Sequence, residues 1–318
     1  MKKLCCSVIL VTALVLPQSV FAWNATGHRL VASIAWDNLS ETARKNIVNL
    51  MLQAPKGDCL QELFKSSGND DREFFVAAAT WPDILRGGKG VPKQCTDLHQ
   101  PAWHFRDLFW SGFSGDTLNP PKDSNRPPDK PNAVEQLKAF QLMVLKQGND
   151  GQRAMDVAWI LHLVGDIHQP LHTSGRVTTL PAEKTGDRGG NTFAVGAPIK
   201  LENGKTMTPS LHGFWDGIID SSEKRGDQED LSSYIKRLTT KIEADFPKSH
   251  FSDLEPAQFD KWATESLRKA QANAYPRTLK RGQAPNAQYK ANAFKIAEES
   301  IAEGGYRLAD LLETLFGH

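Results

Sequence analysis

Residues 154–167, AMDVAWILHLVGDI, decide how this chain folds. Most of them are apolar and lie around the whole helix rather than along one stripe, which is typical of a helix buried on most sides. His162 and Asp166 interrupt the run four residues apart, so they project from the same face. A buried carboxylate is costly unless it is paired or binds a metal, so the pair indicates either a hydrogen bond in the core or a metal site.

Outward from this helix, most of the remaining chain also shows apolar residues at three- and four-residue spacing, and strand signals are nearly absent. The spacing predicts helices over residues 26–39, 40–52, 133–146, 154–169, 231–246, 259–275 and 292–316. A short hairpin is the weak prediction for residues 191–201, and loops are predicted for residues 114–132 and 174–191. We therefore expect a single all-α domain.

Composition and charge exclude several classes of protein. With 318 residues, 40% hydrophobic and 24% charged, the chain is neither disordered nor a disulfide-stapled miniprotein. Its net charge of +1 provides no global basic field that would draw it to nucleic acid or to an anionic membrane. Beyond Ala22 there is no repeat and no apolar run long enough to span a bilayer, so we expect neither a solenoid nor a membrane anchor.

The start of the chain, residues 1–22, has the features of a secretory signal peptide. Lys2 and Lys3 precede an apolar run that Pro17 interrupts, and small residues lead to a cleavage site after Ala22. The mature domain is then expected to span residues 23–318, periplasmic or extracellular, and to begin at Trp23. Cleavage would remove two lysines and leave 36 basic residues against 37 acidic residues.

Cysteine usage agrees with export. Cys5 and Cys6 lie in the predicted leader, which leaves Cys59 and Cys95 in the mature chain. In an exported protein a disulfide between these two is expected, and two buried free thiols are the alternative.

A second His–Asp pair repeats the spacing of the first. His172 follows the central helix, and His212 with Asp216 again lie four residues apart. Two such pairs and an intervening histidine are typical of first-row metal binding by imidazole and carboxylate, which suits zinc. Three further candidates, upstream, are His28, Asp83 and His104.

Taken in order, these motifs resemble the zinc-dependent single-strand-preferring nuclease and 3′-nucleotidase family of fungi, plants and bacteria, an all-α branch of the zinc phospholipase C superfamily. The motifs that carry the resemblance are WNATGH at 23–28, WPDILR at 81–86, WHF at 103–105, HLVGDIHQPLH at 162–172, DRGGN at 187–191 and HGFWD at 212–216. Ser210 departs from the asparagine that the family usually has there.

The resemblance implies three Zn²⁺ ions per chain. The first would be held by Asp83, His104, His162 and Asp166, the second by His172, His212 and Asp216, and the third by the amino nitrogen and carbonyl oxygen of Trp23 with His28 and a share of Asp166. Asp166 would bridge two ions, which would remove the cost of burying its charge.

The resemblance also implies the chemistry and the substrates. A metal-bridging hydroxide would attack phosphorus while zinc stabilises the leaving 3′ oxygen. Asp83 and Asp166 would be catalytic through the metals, and Arg86 would meet charge on the phosphate. Single-stranded RNA and DNA would give 5′-phosphorylated products, and 3′-mononucleotides would also be hydrolysed.

A base pocket is implied at Phe105 and Asp107, where the ring would stack a base and the carboxylate would accept hydrogen bonds from its edge. Asn191 would contact phosphate. Ordinary core packing of Phe105, a solvated or capping Asp107 and turn chemistry at Asn191 are the alternatives.

Two other functions stay open on the sequence. A zinc phospholipase C shares the fold and the N-terminal tryptophan, but typically has glutamate at the position of Asp216 and a wider spacing between its first Trp and His. A non-catalytic zinc-binding protein of the cell envelope would have no use for Arg86 or Phe105.

Overall fold

The protein is described by a computed structural model that covers residues 23–88, 91–111, 122–146, 148–201 and 205–318. The predicted leader, with Cys5 and Cys6, lies outside these residues, and its assignment stays a prediction. Within the described ranges, no helix is long and apolar enough to cross a membrane.

Helices dominate the described chain, as the sequence predicts. In chain order they are α1 (Ala25–Asp37), α2 (Glu41–Met51), α3 (Cys59–Ser66), α4 (Asp71–Ala78), α5 (Trp81–Ile84), α6 (Lys93–Thr96), α7 (Ala133–Met143), α8 (Asp150–His168), α9 (Leu211–Asp216), α10 (Ile218–Ser222), α11 (Leu231–Asp245), α12 (Phe259–Lys269) and α13 (Ala287–Phe316). All seven predicted helices are present with shifted ends.

The shifts have local causes at the helix ends. α8 begins four residues before the prediction because the Asn149 side chain accepts a hydrogen bond from the amide of Gln152. α13 begins five residues early, where Asn286 caps the amide of Tyr289 in the same way. The predicted helix at 259–275 ends at Lys269 and continues as a π-helical turn, Ala270–Ala274.

The central helix α8 is enclosed on most sides, as its apolar residues predict. It packs against α2, α7, α12 and α13, and most of its residues are buried. Beside it, α13 approaches α1 closely at Gly305, where an added Cβ would lie 2.6 Å from the Cβ of Ile34. The functional polar residues of α8 therefore lie inside the molecule rather than on its surface.

A small three-stranded sheet is the main departure from the sequence prediction. Its strands are β1 (Leu108–Ser111), β2 (Lys122–Asp123) and β3 (Ser174–Val177), in the order β2-β1-β3, with β1 parallel to β3. The prediction of a loop over 174–191 was wrong for its first four residues, and that over 114–132 was wrong at β2. Residues 114–121 of the latter lie outside the described chain.

The predicted hairpin at 191–201 was wrong in its extent. Within that range only β4 (Ile199–Lys200) forms a strand, and it pairs with β5 (Thr206–Met207) beyond it. An isolated bridge joins Ala194 to Ser210. Neither sheet changes the fold class, which is a mostly helical single domain.

The disulfide Cys59–Cys95 is formed, so the alternative of two free thiols was wrong. The bond joins α3 to α6. Between these two helices along the chain lies α5, the short helix that contains Asp83. Beside it, Asp58 caps Leu60 and also accepts a hydrogen bond from the Trp81 indole at 3.0 Å. The disulfide thus links the two ends of the segment that contains Asp83, and the buried hydrogen bond from Trp81 joins that segment to the start of α3.

Candidate metal centre

The predicted ligands come from separate parts of the chain and meet beside α8. His162 and Asp166 lie on α8, and His212 and Asp216 on α9, one turn apart in each case. The four other side-chain ligands lie on α1 (His28), on α5 (Asp83), at the end of the 3-10 turn Pro101–His104 (His104) and in the 3-10 turn Pro170–Thr173 (His172), while Trp23 precedes α1. Ser210 caps α9 by accepting from the amide of Gly213 at 3.1 Å, so the serine still supports this helix.

Asp166 is the centre of the arrangement. Its Oδ2 lies 3.2 Å from His104 Nδ1 and 3.2 Å from His162 Nε2. Its Oδ1 lies 3.4 Å from His28 Nε2 and 3.5 Å from His172 Nδ1. All five side chains are fully buried. One carboxylate therefore faces four imidazoles, two on each oxygen.

Three groups of side chains could each hold a cation. Their ligand atoms lie within 4.8 Å of one another in the groups Asp83–His104–His162, His28–His162–Asp166 and His172–His212–Asp216. The third group has the same three residues as one predicted ligand set. The first group lacks Asp166, which was predicted for that set. The second group lacks Trp23 and contains His162 in addition, because the His162 ring stacks on that of His28 at 3.8 Å.

The predicted start of the mature chain, Trp23 and Asn24, lies beside the third of these groups. Trp23 is fully buried, and the amide of Asn24 donates to the carbonyl of Asp216 at 3.2 Å. The side chain of Asn24 donates to Asp220 at 2.7 Å. The backbone of the predicted mature N-terminus is therefore held next to α9.

Backbone carbonyls orient three of the imidazoles. The Nδ1 atoms of His162, His172 and His212 lie 2.8, 2.9 and 2.8 Å from the carbonyl oxygens of Ala79, His104 and Gly189. An imidazole that donates through Nδ1 presents the lone pair of Nε2, which is the form that binds a metal. For His162 that atom lies 3.2 Å from Asp166 Oδ2 and can carry a proton toward the carboxylate, which a bound cation would displace.

Several buried polar atoms of the site have no hydrogen-bond partner within the described chain. They include both ring nitrogens of His28, Nε2 of His104, Oδ1 of Asp166 and Oδ2 of Asp216. Such atoms are rare in proteins because losing water without a replacement costs free energy. Nitrogen and carboxylate ligands left in this way fit divalent cations, which would satisfy them together.

The electrostatics favour added positive charge. Burial lowers the pKa of His104 to about 4 and outweighs the opposing effect of Asp166, so the ring is neutral at pH 7. Burial raises the pKa of Asp216 well above its usual value, although Gln169 donates to its Oδ1 at 2.6 Å and opposes this shift. Neutral imidazoles and a carboxylate that is costly to ionise are ligands that a nearby dication would stabilise.

Arg86 is at the edge of the site. Its Nη2 lies 2.9 Å from Asp83 Oδ1, and both side chains are mostly buried. A guanidinium held in this place adds positive charge next to the group Asp83–His104–His162.

Of the three predicted substrate residues, Phe105 lies beside the candidate ligands. The Phe105 ring is half-buried, with its centroid 4.8 Å from the ring of His172 and 6.2 Å from that of His212. Asp107 is also half-buried, and burial together with Asp187 raises its pKa to about 7. The side-chain amide of Asn191 donates to the carbonyl of Arg188 at 2.8 Å, which is the turn chemistry considered as its alternative.

Sequence reasoning missed residues that support the ligands without binding as ligands themselves. Gln169 donates to Asp216, and its position between the candidate ligands Asp166 and His172 was the signal in the sequence. Gly165 leaves room for His28, since an added Cβ would lie 2.8 Å from its Nδ1. Gly189 supplies the carbonyl for His212.

Adjoining groups of imidazole and carboxylate inside a helical protein, with an arginine and an aromatic ring beside them, are typical of metal-dependent hydrolases of phosphoesters. Comparison with known proteins identifies the particular family. Residues 23–317 match the family model described as S1/P1 Nuclease, and the chain belongs to that family.

Its relatives include nucleases of a plant and a fungus. "Endonuclease 2" of Arabidopsis thaliana is 23% identical over 319 residues, which cover 98% of this chain and 96% of that protein. "Nuclease S1" of Aspergillus oryzae is 23% identical over 95% of this chain and 94% of its own, and "Endonuclease 1" of Arabidopsis thaliana is 27% identical over 94% and 88%. The protein is thus a nuclease, a hydrolase that acts on nucleic acid.

Proposed function

We propose that the protein is an exported, zinc-dependent nuclease that cuts single-stranded RNA and DNA to 5′-phosphorylated products and also removes phosphate from 3′-mononucleotides. The observation that carries the proposal is the single carboxylate of Asp166 facing four imidazoles, amid buried ligand atoms that lack partners. Membership of a nuclease family supports the choice of substrate class. A signal peptide over residues 1–22 is part of the proposal, and it would deliver the protein to the periplasm or the cell exterior.

Three Zn²⁺ ions are the proposed cofactors. Imidazole with carboxylate favours zinc over Mg²⁺, which prefers oxygen ligands. The proposed ligands are Asp83, His104, His162 and Asp166 for one ion, His172, His212 and Asp216 for another, and Trp23 through its amino nitrogen and carbonyl oxygen, with His28 and Asp166, for the third.

Zinc at this centre would supply an activated water near neutral pH and positive charge for the phosphate. The residues of the chain contribute orientation and further charge. Arg86, held by Asp83 at 2.9 Å, is the proposed donor to non-bridging phosphate oxygens as negative charge grows on them. Asp166 contacts His104 and His162 through Oδ2 and His28 through Oδ1, which fixes the spacing of the two ligand groups that share it.

Phe105 is the proposed platform for a base. Its ring is half-buried next to His172, so one face can accept a base beside the metal ligands. Stacking on an aromatic ring contributes about 1–3 kcal/mol per base and requires an unstacked base, which favours single strands over duplex. Asp107 would hydrogen-bond to the base edge, and the side-chain amide of Asn191 would contact phosphate.

The first experiment is an activity assay with defined substrates. Purified protein incubated with single-stranded RNA, single-stranded DNA, duplex DNA and a 3′-mononucleotide is expected to degrade the single strands fastest and to release phosphate from the mononucleotide. Labelled fragments should end in 5′-phosphate. Release of phosphocholine from phosphatidylcholine without nuclease activity would favour a phospholipase, and zinc binding without hydrolysis of any phosphoester would favour a zinc-binding envelope protein.

Asp166→Ala tests the role of the shared carboxylate. The variant is expected to lose activity and more than one bound zinc per chain, measured by elemental analysis, because both carboxylate oxygens face ligand groups. Asp156→Ala is the matched control, since Asp156 is also buried on α8 but accepts a hydrogen bond from Gln152 and lies outside the three ligand groups. Loss of a single zinc in Asp166→Ala would contradict the shared role.

A further inference from the structure

The turn over residues 187–191, between β3 and β4, has an unusual backbone. Arg188, Gly189 and Gly190 have φ angles of 57°, 60° and 84°, three successive residues in the left-handed region. Residues other than glycine adopt this conformation only at a cost, so Arg188 needs support from its surroundings. The turn is closed by the amide of Asn191 donating to the carbonyl of Arg188 at 3.2 Å and that of Thr192 donating to the carbonyl of Asp187 at 3.3 Å.

This turn lies between a candidate ligand and a buried tyrosine. The carbonyl oxygen of Gly189 lies 2.8 Å from His212 Nδ1, and a Cβ on Gly189 would lie 3.0 Å from the same nitrogen and would also meet the Leu171 carbonyl. A Cβ on Gly190 would lie 3.1 Å from the hydroxyl of Tyr275. Two glycines are therefore needed for the turn to fit between His212 and Tyr275.

The turn begins at a buried carboxylate that Tyr275 and Arg176 hold. Asp187 Oδ2 accepts from the Tyr275 hydroxyl at 2.7 Å, and Oδ1 accepts from the amide of Arg176 at 3.0 Å. The amide of Asp187 in turn donates to the Arg176 carbonyl at 2.8 Å. Since Asp187 is fully buried, these bonds offset the cost of removing its carboxylate from water.

We propose that Tyr275 and Asp187 are positioning residues for His212, acting through the carbonyl of Gly189. Fixing the start of the turn fixes that carbonyl, and the carbonyl fixes the orientation of the ring that presents Nε2 to a metal. The inference rests on the proposed function, since it requires that the group His172–His212–Asp216 holds zinc. It also gives the segment after α12 a role in the site that no motif in the sequence indicates.

Tyr275→Phe tests the proposal because it removes one hydroxyl and keeps the ring. In competition with a chelating dye, the variant is expected to release one zinc per chain about tenfold more readily than the unmodified protein. A tenfold change is at the low end of the loss in metal affinity that follows when a residue that orients a metal ligand is replaced. Tyr306→Phe is the matched control: its buried hydroxyl donates to the Phe246 carbonyl at 3.1 Å, far along the chain from the ligands. It should lose comparable stability in denaturant and keep its zinc affinity.

A double-mutant cycle separates positioning from general loosening. If Tyr275 acts through His212, Tyr275→Phe should have no further effect on zinc affinity in a His212→Ala background. Equal zinc affinity of Tyr275→Phe and the unmodified protein, or an additive effect in the His212→Ala background, would overturn the inference alone. Absence of any zinc binding by the unmodified protein would overturn it together with the proposed function.

Discussion

At the scale of one residue, Asp166 shows how neighbouring imidazoles keep a buried carboxylate ionised. Burial alone would raise the pKa of this carboxyl, but the charge of His162 and the hydrogen bonds from His104 and His162 hold it well below its usual range. The carboxylate therefore stays ionised inside an apolar helix. Its neighbours are the same imidazoles that lie in the candidate metal groups, so stability and metal binding depend on the same contacts.

Gly165, the residue before Asp166, sets the space available to His28. We predict that Gly165→Ala weakens the binding of one metal ion by roughly tenfold or more, because the new Cβ would lie 2.8 Å from His28 Nδ1 and displace the ring from its stack on His162. Competition with a chelating dye measures the change.

Gly151→Ala is the control for this substitution, since it lies on the same helix and its added Cβ would meet neighbours at 3.4 Å or more. It should keep its metal and gain roughly 0.5–1 kcal/mol of stability from the better helix former. Unchanged metal binding in Gly165→Ala would show that the His28 ring can move without loss.

The grouping of the candidate ligands was partly predictable because two pairs of them follow helical spacing. The pairs His162 with Asp166 and His212 with Asp216 share a face by periodicity alone, and the structure brings both pairs into the ligand groups. Gly165 and Gly189 could not be recognised in this way. One acts through the absence of a side chain and the other through a backbone carbonyl, and neither property has a sequence signal without the fold.

At the scale of elements, a polar contact inside the molecule ties α8 to α12 and α13. Arg307 of α13 is buried, and its guanidinium lies 3.2 Å from His168 Nε2 and donates to Glu265 of α12 at 2.6 Å. His168 Nδ1 donates to the Val164 carbonyl at 2.7 Å, so Nε2 accepts from Arg307. The C-terminal end of α8 is thereby fixed to two helices behind the ligands.

This contact predicts an acid sensitivity. Burial and the charge of Arg307 lower the pKa of His168 to about 3, against about 6.5 in an unfolded chain. Between these values the unfolded state binds one more proton here, so the free energy of unfolding falls as the pH drops, by up to about 1.4 kcal/mol per pH unit. His168→Gln should make this decline shallower between pH 6.5 and 4.5 in denaturant titrations.

The two effects of that substitution are separable. Lost packing lowers the free energy of unfolding by a constant amount, which the value at pH 7 reports, whereas the lost proton changes only the slope. Identical slopes in His168→Gln and the unmodified protein would contradict the prediction.

Helices were predictable because their sequence signal is local, whereas the short strands were not, because their pairing joins residues that are distant along the chain. Each long helix carries its own apolar spacing, and most also have a capping residue, such as Asn149 before α8. The pairing of β1 with β3 joins Leu108 to Ser174, which are far apart along the chain, and both strands are short. Strands this short carry too few alternating positions to be distinguished from loops before their partner is known.

At the scale of the whole molecule, the candidate ligands connect distant parts of the fold. They come from α1, α5, α8, α9 and two 3-10 turns, between His28 and Asp216, and most are fully buried. The polypeptide itself is nearly neutral, with 38 basic and 37 acidic residues. Local positive charge for binding a polyanion would then come from bound cations and from arginines such as Arg86 rather than from a global field.

Metal binding should therefore be visible as thermal stability of the whole protein. A cation that binds only the folded state adds RT ln(1 + [L]/Kd), about 2.7 kcal/mol when its concentration is 100 times Kd. We predict that Zn²⁺ raises the melting temperature of chelator-stripped protein by several degrees, and that Mg²⁺ at equal concentration does not, because imidazole nitrogens bind Mg²⁺ poorly. Asp166→Ala should respond less to Zn²⁺ in the same assay. Equal shifts with both ions would indicate nonspecific screening of charge, and would remove the support that the buried groups give to a zinc centre.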